Sequence, residues 1–573
     1  MILQQLAQDA ECIVGDLPPS MYVRRPVKWI LDLDGDGSIR GAIRTSGGQG
    51  KRDTGAERLV PFVVRTSGIR PILLADSPAY SLGLAPDDRH APRKHEQYRQ
   101  LVERCADATG HPAVRAVARF LDAWNQDAPR LDRLPAEMSG LSDADLLTFR
   151  VEGVIPVDEP PVQKFWQKEC QARDLSGALP GQCLLCGEKK PIPSSLPVLI
   201  KRVPGGQTAG VAPSSVNATA FESYGLAGGR TAAVCQECGE RFGKALNALL
   251  AQDDSHLAVG PLVYVFWTRE KVGFSPVSFL RKPDPEAVKQ LLSAFRSGPR
   301  ALAIDDLAFF AVALSASGGR AVIRDWLETT LGHVKVNLVR WFDILRQVDA
   351  YGQPGQPLGV FPVAAALYRD ATKDMAPQVP RALVRAALHG SPLPPDLLVQ
   401  AINRCRVEQQ VTYPRAALIK AALVSGKPGK EAYMSALEPN ETRPAYLCGR
   451  LLAVLEEIQR EAIPGINTTL VDRFYGTAST APATVFGHLL SGAQAHLSKL
   501  RRTRGSAHYA LQERLEAVMR PLSAFPRTLA LQDQALFSLG YYHQRADDRA
   551  AMQARRAAKA EAAEADTNGG NKQ

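Results

Sequence analysis

Apolar positions along this 573-residue chain change rhythm several times. Near the start they come in short, β-like runs. Val27-Lys28-Trp29-Ile30-Leu31-Asp32-Leu33 reads as a strand, a Gly/Asp-rich turn follows, and Leu59-Val60-Pro61-Phe62-Val63-Val64 reads as another. Over residues 92–107 and 112–125 the spacing turns helical, with Val114, Val117, Ala118, Leu121 and Trp124 on one face. Helical spacing returns at Phe242, Leu246 and Leu249/Leu250, and Pro261-Leu262-Val263-Tyr264-Val265-Phe266-Trp267 is the run of a buried strand. Lys282-Pro283-Asp284-Pro285 marks a first boundary. Beyond it strand signals thin out and helical periodicity takes over, interrupted at residues 352–357 and 390–395 by Gly/Pro clusters.

From about residue 434 the pattern is that of a helical bundle. Leu447, Leu451, Leu455 and Ile458 form one stripe; Phe486, Leu489/Leu490, Ala493, Leu497 and Leu500 a second; Leu511, Leu515 and Val518/Met519 a third. No repeat of solenoid period is present. The fold class expected is α+β: a mixed α/β N-terminal region with an inserted four-cysteine, zinc-ribbon-like element, followed by an all-α C-terminal bundle. The expected divisions are 1–282 (with the cysteine element at 183–238), a mainly helical 283–433, a bundle at 434–550, and a disordered Ala/Glu/Lys/Arg-rich tail at 551–573.

Charge adds a direction. Lys and Arg total 69 against 59 Asp and Glu, a net +10, which favours an anionic partner. The start of the chain lacks the basic region of a signal peptide, and no apolar run reaches membrane-spanning length. Nine cysteines, four of them in C-x-x-C pairs, fit a reducing compartment better than a disulfide framework, so a cytoplasmic location is expected. Cys12, Cys105, Cys170, Cys405 and Cys448 read as small apolar residues.

The two pairs are Cys183-Leu184-Leu185-Cys186-Gly187 and Cys235-Gln236-Glu237-Cys238-Gly239. Each has the shape of a zinc knuckle, in which two thiolates grip an ion and the following glycine lets the chain turn. Between Cys186 and Cys235 lie 48 residues, so the arrangement reads as a ribbon carrying a long insertion. A redox dithiol fits less well, because neither pair reads as following a strand and opening a helix. Cys183, Cys186, Cys235 and Cys238 would close the coordination sphere of zinc, so the ion is expected to be structural.

Other chemistry is thin. Asp32-Leu33-Asp34-Gly35-Asp36-Gly37 imitates an EF-hand opening, but the twelfth position is Ile43 and the preceding segment is strand-like, so a β-turn explains it better. Walker A, zincin, zinc-deaminase and G-x-S-x-G signatures are missing, and the protein is not expected to be an enzyme. The basic candidates for nucleic-acid contact are Arg24, Arg25 and Lys28; Arg65 and Arg70; Lys201 and Arg202; and Lys499, Arg501, Arg502 and Arg504. Gly205, Gly206 and Gly210 would let backbone N–H groups approach phosphate, and Gln207 and Asn217 suit bidentate contact with a base edge.

Met1-Ile2-Leu3-Gln4, Pro26–Leu33, Arg65-Thr66-Ser67-Gly68-Ile69-Arg70-Pro71 with Leu74-Ala75-Asp76, and Gly205-Gly206-Gln207 followed by Asn217-Ala218-Thr219-Ala220-Phe221-Glu222-Ser223-Tyr224-Gly225 together resemble one family. It is the large subunit of the type I-C CRISPR surveillance complex, of the Dvulg subtype. The resemblance spans the chain, with its specific motifs in the first 270 residues. It implies a non-enzymatic subunit of a crRNA-guided, Cascade-like complex. Such a subunit recognises a protospacer-adjacent motif on duplex DNA, promotes unwinding and R-loop formation, and helps recruit the helicase-nuclease. The implied partners are crRNA-bearing backbone subunits, the crRNA 5′-end-binding subunit, small-subunit copies, target duplex and displaced strand. In this family the C-terminal helical part resembles the separate small subunit, for which Met434 is a reasonable internal start. Two rivals remain on the residues alone: a metal-dependent nuclease or hydrolase using Asp32, Asp34 and Asp36, and a free-standing zinc-containing DNA-binding regulator.

Overall fold

Lys28 splits the run expected as a single strand. In the computed structural model, which describes residues 2–45, 53–63, 65, 68–85, 87–126, 131–174, 179–196, 198–214, 216, 218–297, 306–427, 429–430 and 433–569, β1 (Tyr22–Val27) and β2 (Trp29–Leu33) enter different sheets. The N–H groups of Lys28 and Trp29 both donate to the Leu146 carbonyl, at 3.0 and 3.2 Å, which turns the chain between the strands. The Lys28 ammonium donates to both carboxylate oxygens of Asp145, at 3.0 and 2.9 Å, and Trp29 Nε1 joins the same carboxylate at 3.1 Å.

β1 pairs antiparallel with β4 (Ala56–Pro61), from Tyr22 opposite Pro61 to Val27 opposite Ala56. β2 lies inside a four-stranded sheet of order β3-β2-β6-β5, with β3 at Ile39–Arg44, β5 at Ala75–Asp76 and β6 at Leu147–Val151. β2 runs antiparallel to β3 and parallel to β6. Helices Ala91–Thr109, Pro112–Gln126 and Pro160–Asp174 contribute Val102, Val117, Leu121, Trp124 and Trp166 to the core that buries Trp29, Leu31, Leu33 and Phe149. The Gly/Asp stretch is the β-turn its sequence suggests. Asp34 Oδ1 accepts the N–H groups of Asp36 and Ser38, at 3.0 and 2.9 Å.

The chain forms two compact units: Met1–Ala251 with Ala316–Val322, and Gln252–Ser315 with Ile323–Gln573. The second unit begins ahead of the Pro-rich segment at 282–285, because β9 (His256–Val259) and β10 (Leu262–Thr268) pair into a sheet of order β12-β11-β10-β9. β11 (Ala308–Ser317) and β12 (Arg320–Thr330) are long strands in a stretch whose strand signals had read as faint. The reason is burial. Phe309 through Ser315 is covered on both faces, so the run does not alternate, and its alanines and leucine suit a helix equally well. Gly318-Gly319 between the strands is a two-residue hairpin turn.

The three C-terminal stripes lie on helices Pro444–Ala462, Pro482–Thr503 and Gly505–Met519, with Leu447, Leu451, Ile458, Phe486, Leu500 and Val518 in the core. That core also holds Leu338, Leu383, Ala401 and Ile419 from helices Leu331–Leu345, Gln378–His389, Pro395–Glu408 and Tyr413–Val424. Met434, the residue that opens the expected bundle, is fully buried. Its carbonyl accepts Gln347 Nε2 at 3.1 Å. The last helix, Leu531–Gly569, runs through the segment expected to be disordered from residue 551, in keeping with the high helix propensity of Ala, Glu and Arg.

Helices Pro444–Ala462 and Leu531–Gly569 touch backbone to backbone. A Cβ at Gly449 would stand 2.0 Å from the Phe537 carbonyl oxygen, and one at Gly540 would stand 2.2 Å from that of Tyr446. Gly449→Ala and Gly540→Ala are each expected to lower stability by about 1–3 kcal/mol through overpacking, read as a lower melting midpoint. Gly476→Ala, where nothing lies within 4 Å, is expected to leave the midpoint unchanged or raise it.

Candidate metal centre and nucleic-acid interface

Cys183 follows β7 (Leu179–Gln182) directly, and Cys186 lies in the turn before β8 (Lys189–Ile192). Within that turn Cys183 N–H donates to the Glu188 carbonyl and Gly187 N–H to the Cys183 carbonyl, both at 2.9 Å. The second pair is built differently. Cys235 stands immediately before helix Gln236–Ala251 and Cys238 lies in its first turn. Neither pair both follows a strand and opens a helix: the first follows a strand and the second opens a helix, whose start at Gln236 the short apolar spacing from Phe242 onward hides. Hairpin and helix end together bring the four Sγ atoms within 4.8 Å of one another.

The electrostatics favour a thiolate at Cys183. Burial acts to raise its thiol, but the N–H groups of Cys235, Cys186 and Leu185 outweigh it and bring it down to about 6. The Leu185 and Cys235 N–H groups each lie 3.4 Å from Cys183 Sγ. Burial raises the Cys235 and Cys238 thiols. A tetrahedral metal with sulfur bonds of 2.3 Å needs S···S edges of about 3.8 Å, which this cluster accommodates. Four sulfur donors, none in a disulfide, fit a thiophilic divalent ion held in a closed site. When bound, such an ion would tie hairpin to helix.

That tie governs the long insertion. Leu184 N–H donates to the Ala233 carbonyl at 2.8 Å, closing the base of the segment beside the cluster. Further along the same helix, Asn247 Oδ1 accepts Lys201 N–H and Asn247 Nδ2 donates to the Leu199 carbonyl, both at 2.9 Å. Helix Gln236–Ala251 therefore carries two cysteines at one end and grips the root of the Lys201–Gly210 loop at the other. Ile200 and Val211 pair across the loop's neck. Inside it, Gly206 N–H donates to Val203 and Gly210 N–H to Gln207, at 3.0 and 2.9 Å. Those two N–H groups are used within the loop, contrary to the phosphate-facing role expected of them. Gly205, at φ +73°, has open space around it, and Gln207 is exposed.

The tip of the β11–β12 hairpin belongs to the first unit and fastens onto this loop. Ala316 N–H donates to Pro204 at 3.3 Å, Ala212 N–H to Gly319 at 2.7 Å, and Ala321 N–H to Ala212 at 2.9 Å. Gln207 Nε2 lies 3.7 Å from the place a Cβ would take at Gly319. Arg320 sets its guanidinium 4.2 Å from the centre of the Phe221 ring. Sequence reasoning missed Arg320; the Gly318-Gly319 hairpin signal was the clue that could have found it.

Two cations of the first unit, Lys201 and Arg25, feel the charge of basic neighbours. Burial, then Arg25 and Arg202, lowers the Lys201 ammonium. Burial lowers the Arg25 guanidinium, Asp76 offsets this and Arg65 adds to it. Arg65 pairs with Asp76, donates through Nε to the Arg70 carbonyl at 2.8 Å, and covers the Tyr80 ring at 4.0 Å. Asp76 is only 1% exposed and also accepts Ile72 N–H at 2.7 Å and Ser77 N–H at 2.8 Å; burial raises its carboxyl. Asp76 thus pairs with Arg65 and acts on Arg25, and Arg25 and Arg202 act on Lys201, a run of basic neighbours in the first unit.

The other candidates stand apart. Lys28 is taken up by Asp145, with side chains only 14% and 11% exposed, which gives it a structural role in the fold. Arg24 pairs with Asp16 at 2.5 Å. Arg70 donates its N–H to Tyr80 Oη at 3.4 Å. Lys499, Arg501 and Arg502 are exposed on the second unit, where Arg504 pairs with Glu461 at 2.7 Å. Asn217 lies outside the described residues. Asp32 is held by Arg150 through two bonds of 2.8 Å, and the Arg150 hydrogen bond keeps its carboxyl below the usual range.

With this geometry in view, the chain matches the CRISPR-associated protein (Cas_Csd1) family over residues 3–548. It belongs to that family. The sequence resemblance to the type I-C large subunit agrees with the match, and the protein is a CRISPR-associated subunit of the Cascade type. A search of the curated proteins returns no match. Among the described residues of this family member, no helix is long and apolar enough to cross a membrane.

Removing metal from this Cas_Csd1 member is expected to act locally. Purified chain should hold one divalent ion, measured by elemental analysis. A strong chelator or Cys183→Ser should strip it and speed proteolysis within residues 194–228. Far-ultraviolet circular dichroism of the helical second unit should hold.

Proposed function

We propose that this protein is the large subunit of a type I-C crRNA-guided complex, that it reads a short protospacer-adjacent motif on duplex DNA, and that it acts by binding rather than catalysis. The observation that carries the reading is the convergence, within the first unit, of three parts. They are the Arg25/Arg65/Lys201/Arg202 cluster, the exposed Gln207 and the hairpin tip bearing Arg320. The cations supply phosphate affinity, and a glutamine amide offers the donor–acceptor pair that a base edge requires. The four-cysteine site holds zinc in this reading, as a structural ion that keeps the loop in shape. Guide pairing within the assembled complex reads the rest of the target, and the helicase-nuclease is recruited to it.

The commitments of the carboxylates argue against the hydrolase alternative. Asp32 is bound by Arg150 and Asp34 by its turn amides, and among the described residues the four cysteines are the one group placed to share a metal. Incubating the complex with duplex or single-stranded DNA and magnesium or manganese should give no cleavage without the helicase-nuclease. Turnover abolished by Asp34→Ala would overturn the binding-only reading.

Charge and base contacts separate experimentally. Neutralising Lys201 and Arg202 together should weaken duplex binding on every sequence and reduce the slope of log K against log salt by about 1.8. Gln207→Ala should change motif preference instead, measured on a randomised-motif library. Unchanged binding in the first variant and unchanged preference in the second would remove this surface from DNA reading.

A further inference from the structure

Ser223-Tyr224-Gly225-Leu226 forms a tight turn in the first unit. Leu226 N–H donates to the Ser223 carbonyl at 2.9 Å, and the two residues pair across it. Tyr224 and Gly225 have φ of +54° and +69°, so both central residues are left-handed, as a type I′ turn requires. Glycine and asparagine suit the first of these places; a tyrosine there is strained. Tyr224 recovers nothing from packing, since it is 98% exposed. An aromatic ring set in solvent on a strained backbone is a feature whose benefit lies outside the free chain.

Its surroundings indicate the ligand. Three residues earlier Phe221 is 47% exposed, and the Arg320 guanidinium lies over its ring. Arg320 comes from the hairpin tip that also holds the Gln207 loop. Between Ala218 and Arg230 the only acid is Glu222. Two exposed rings three residues apart, one of them under a guanidinium, on the unit that carries the basic residues, suit a planar π-face attached to a phosphate chain.

We propose that Tyr224 is a stacking site for one unpaired nucleobase of target DNA, with Phe221 and Arg320 as the adjoining ring and phosphate contact. This rests on the DNA-reading function above and assigns the residue that receives a base once it has left the duplex. The turn sets where the Tyr224 side chain leaves the backbone, and the exposed ring has both faces open to a base.

The test uses the complete crRNA-loaded complex and target duplexes carrying 5-iodo-deoxyuridine at single positions beside the motif. Irradiation and peptide mass spectrometry should place a crosslink on Tyr224 at one nucleotide or two adjacent ones. Tyr224→Phe and Tyr224→Trp should keep strand opening, followed by 2-aminopurine fluorescence. Tyr224→Asn should reduce opening roughly 5- to 100-fold while the melting midpoint stays level or rises, because asparagine relieves the turn. Motif preference on a covalently closed, non-melting duplex should be unchanged in all three. A crosslink confined to guide RNA or to a protein partner, or full opening by Tyr224→Asn, would overturn the inference. A Tyr224 crosslink alongside an unchanged motif preference in Gln207→Ala would uphold it while removing the loop's reading role, so the two ideas can fail separately.

Discussion

One helix organises the first unit, and its polar face does most of the organising. On Gln236–Ala251, the buried Glu240 carboxylate accepts Met21 N–H at 2.8 Å, Ser20 Oγ at 2.7 Å, Lys244 Nζ at 3.0 Å and Gln236 Nε2 at 3.2 Å. Lys244 donates onward to the Pro18 and Pro19 carbonyls, and Arg241 Nε to the Ala7 carbonyl. A charge so deeply buried is tolerable only when its oxygens find donors, and here two come from the helix itself and two, Ser20 and Met21, from the segment leading into β1. The same helix supplies Cys238 at its start and Asn247 near its end. The beginning of the chain, the metal cluster and the loop root are thus all positioned by one rigid rod.

The basic surface depends on a second buried charge. Beside the larger effect of burial, Arg25 and Arg202 act against the Lys201 ammonium and Arg65 against the Arg25 guanidinium. Asp76 offsets that repulsion from beneath the surface, where burial raises its own carboxyl and Arg65 draws it back down. One carboxylate cannot neutralise four cations. The excess is a standing attraction for phosphate, already paid for in part by the fold. Strain at Tyr224 has the same logic: an arrangement unfavourable in isolation that a ligand turns to advantage.

What could be read in the residues divides along the range of the interactions involved. The cysteine pairs were legible because each is a local motif, and the C-terminal stripes because a helix repeats its own signal every turn. Lys28 was misread as a surface cation because its partner, Asp145, is far away in the chain and nothing near Lys28 announces burial. Arg320 was invisible for the same reason: its relevance comes from a hairpin that returns to the Gly-Gly-Gln loop after about a hundred residues. β11 was faint because a strand covered on both faces loses the alternation by which strands are recognised. The helix start at Gln236 was obscured by the knuckle itself, whose glycine at 239 reads as a breaker although it lies within the first turn.

The helical second unit constrains how its C-terminal part can exist apart from the rest. Helices Pro395–Glu408 and Tyr413–Val424 lie against Leu531–Gly569 and share its core, and Lys420 donates to the Asp343 and Arg346 carbonyls at 2.9 and 2.8 Å and to Ser435 Oγ at 3.3 Å. A chain beginning at Met434 would lack every one of those partners except Ser435. It would expose the part of Leu531–Gly569 that those helices cover, and leave Tyr542 Oη without the Val348 carbonyl it donates to at 2.8 Å. Uncovered apolar surface of that kind favours association, so a product starting there would be stable against a neighbouring protein surface rather than as a free monomer. Continuity of the core at 434, not the stripe pattern that follows it, sets that requirement.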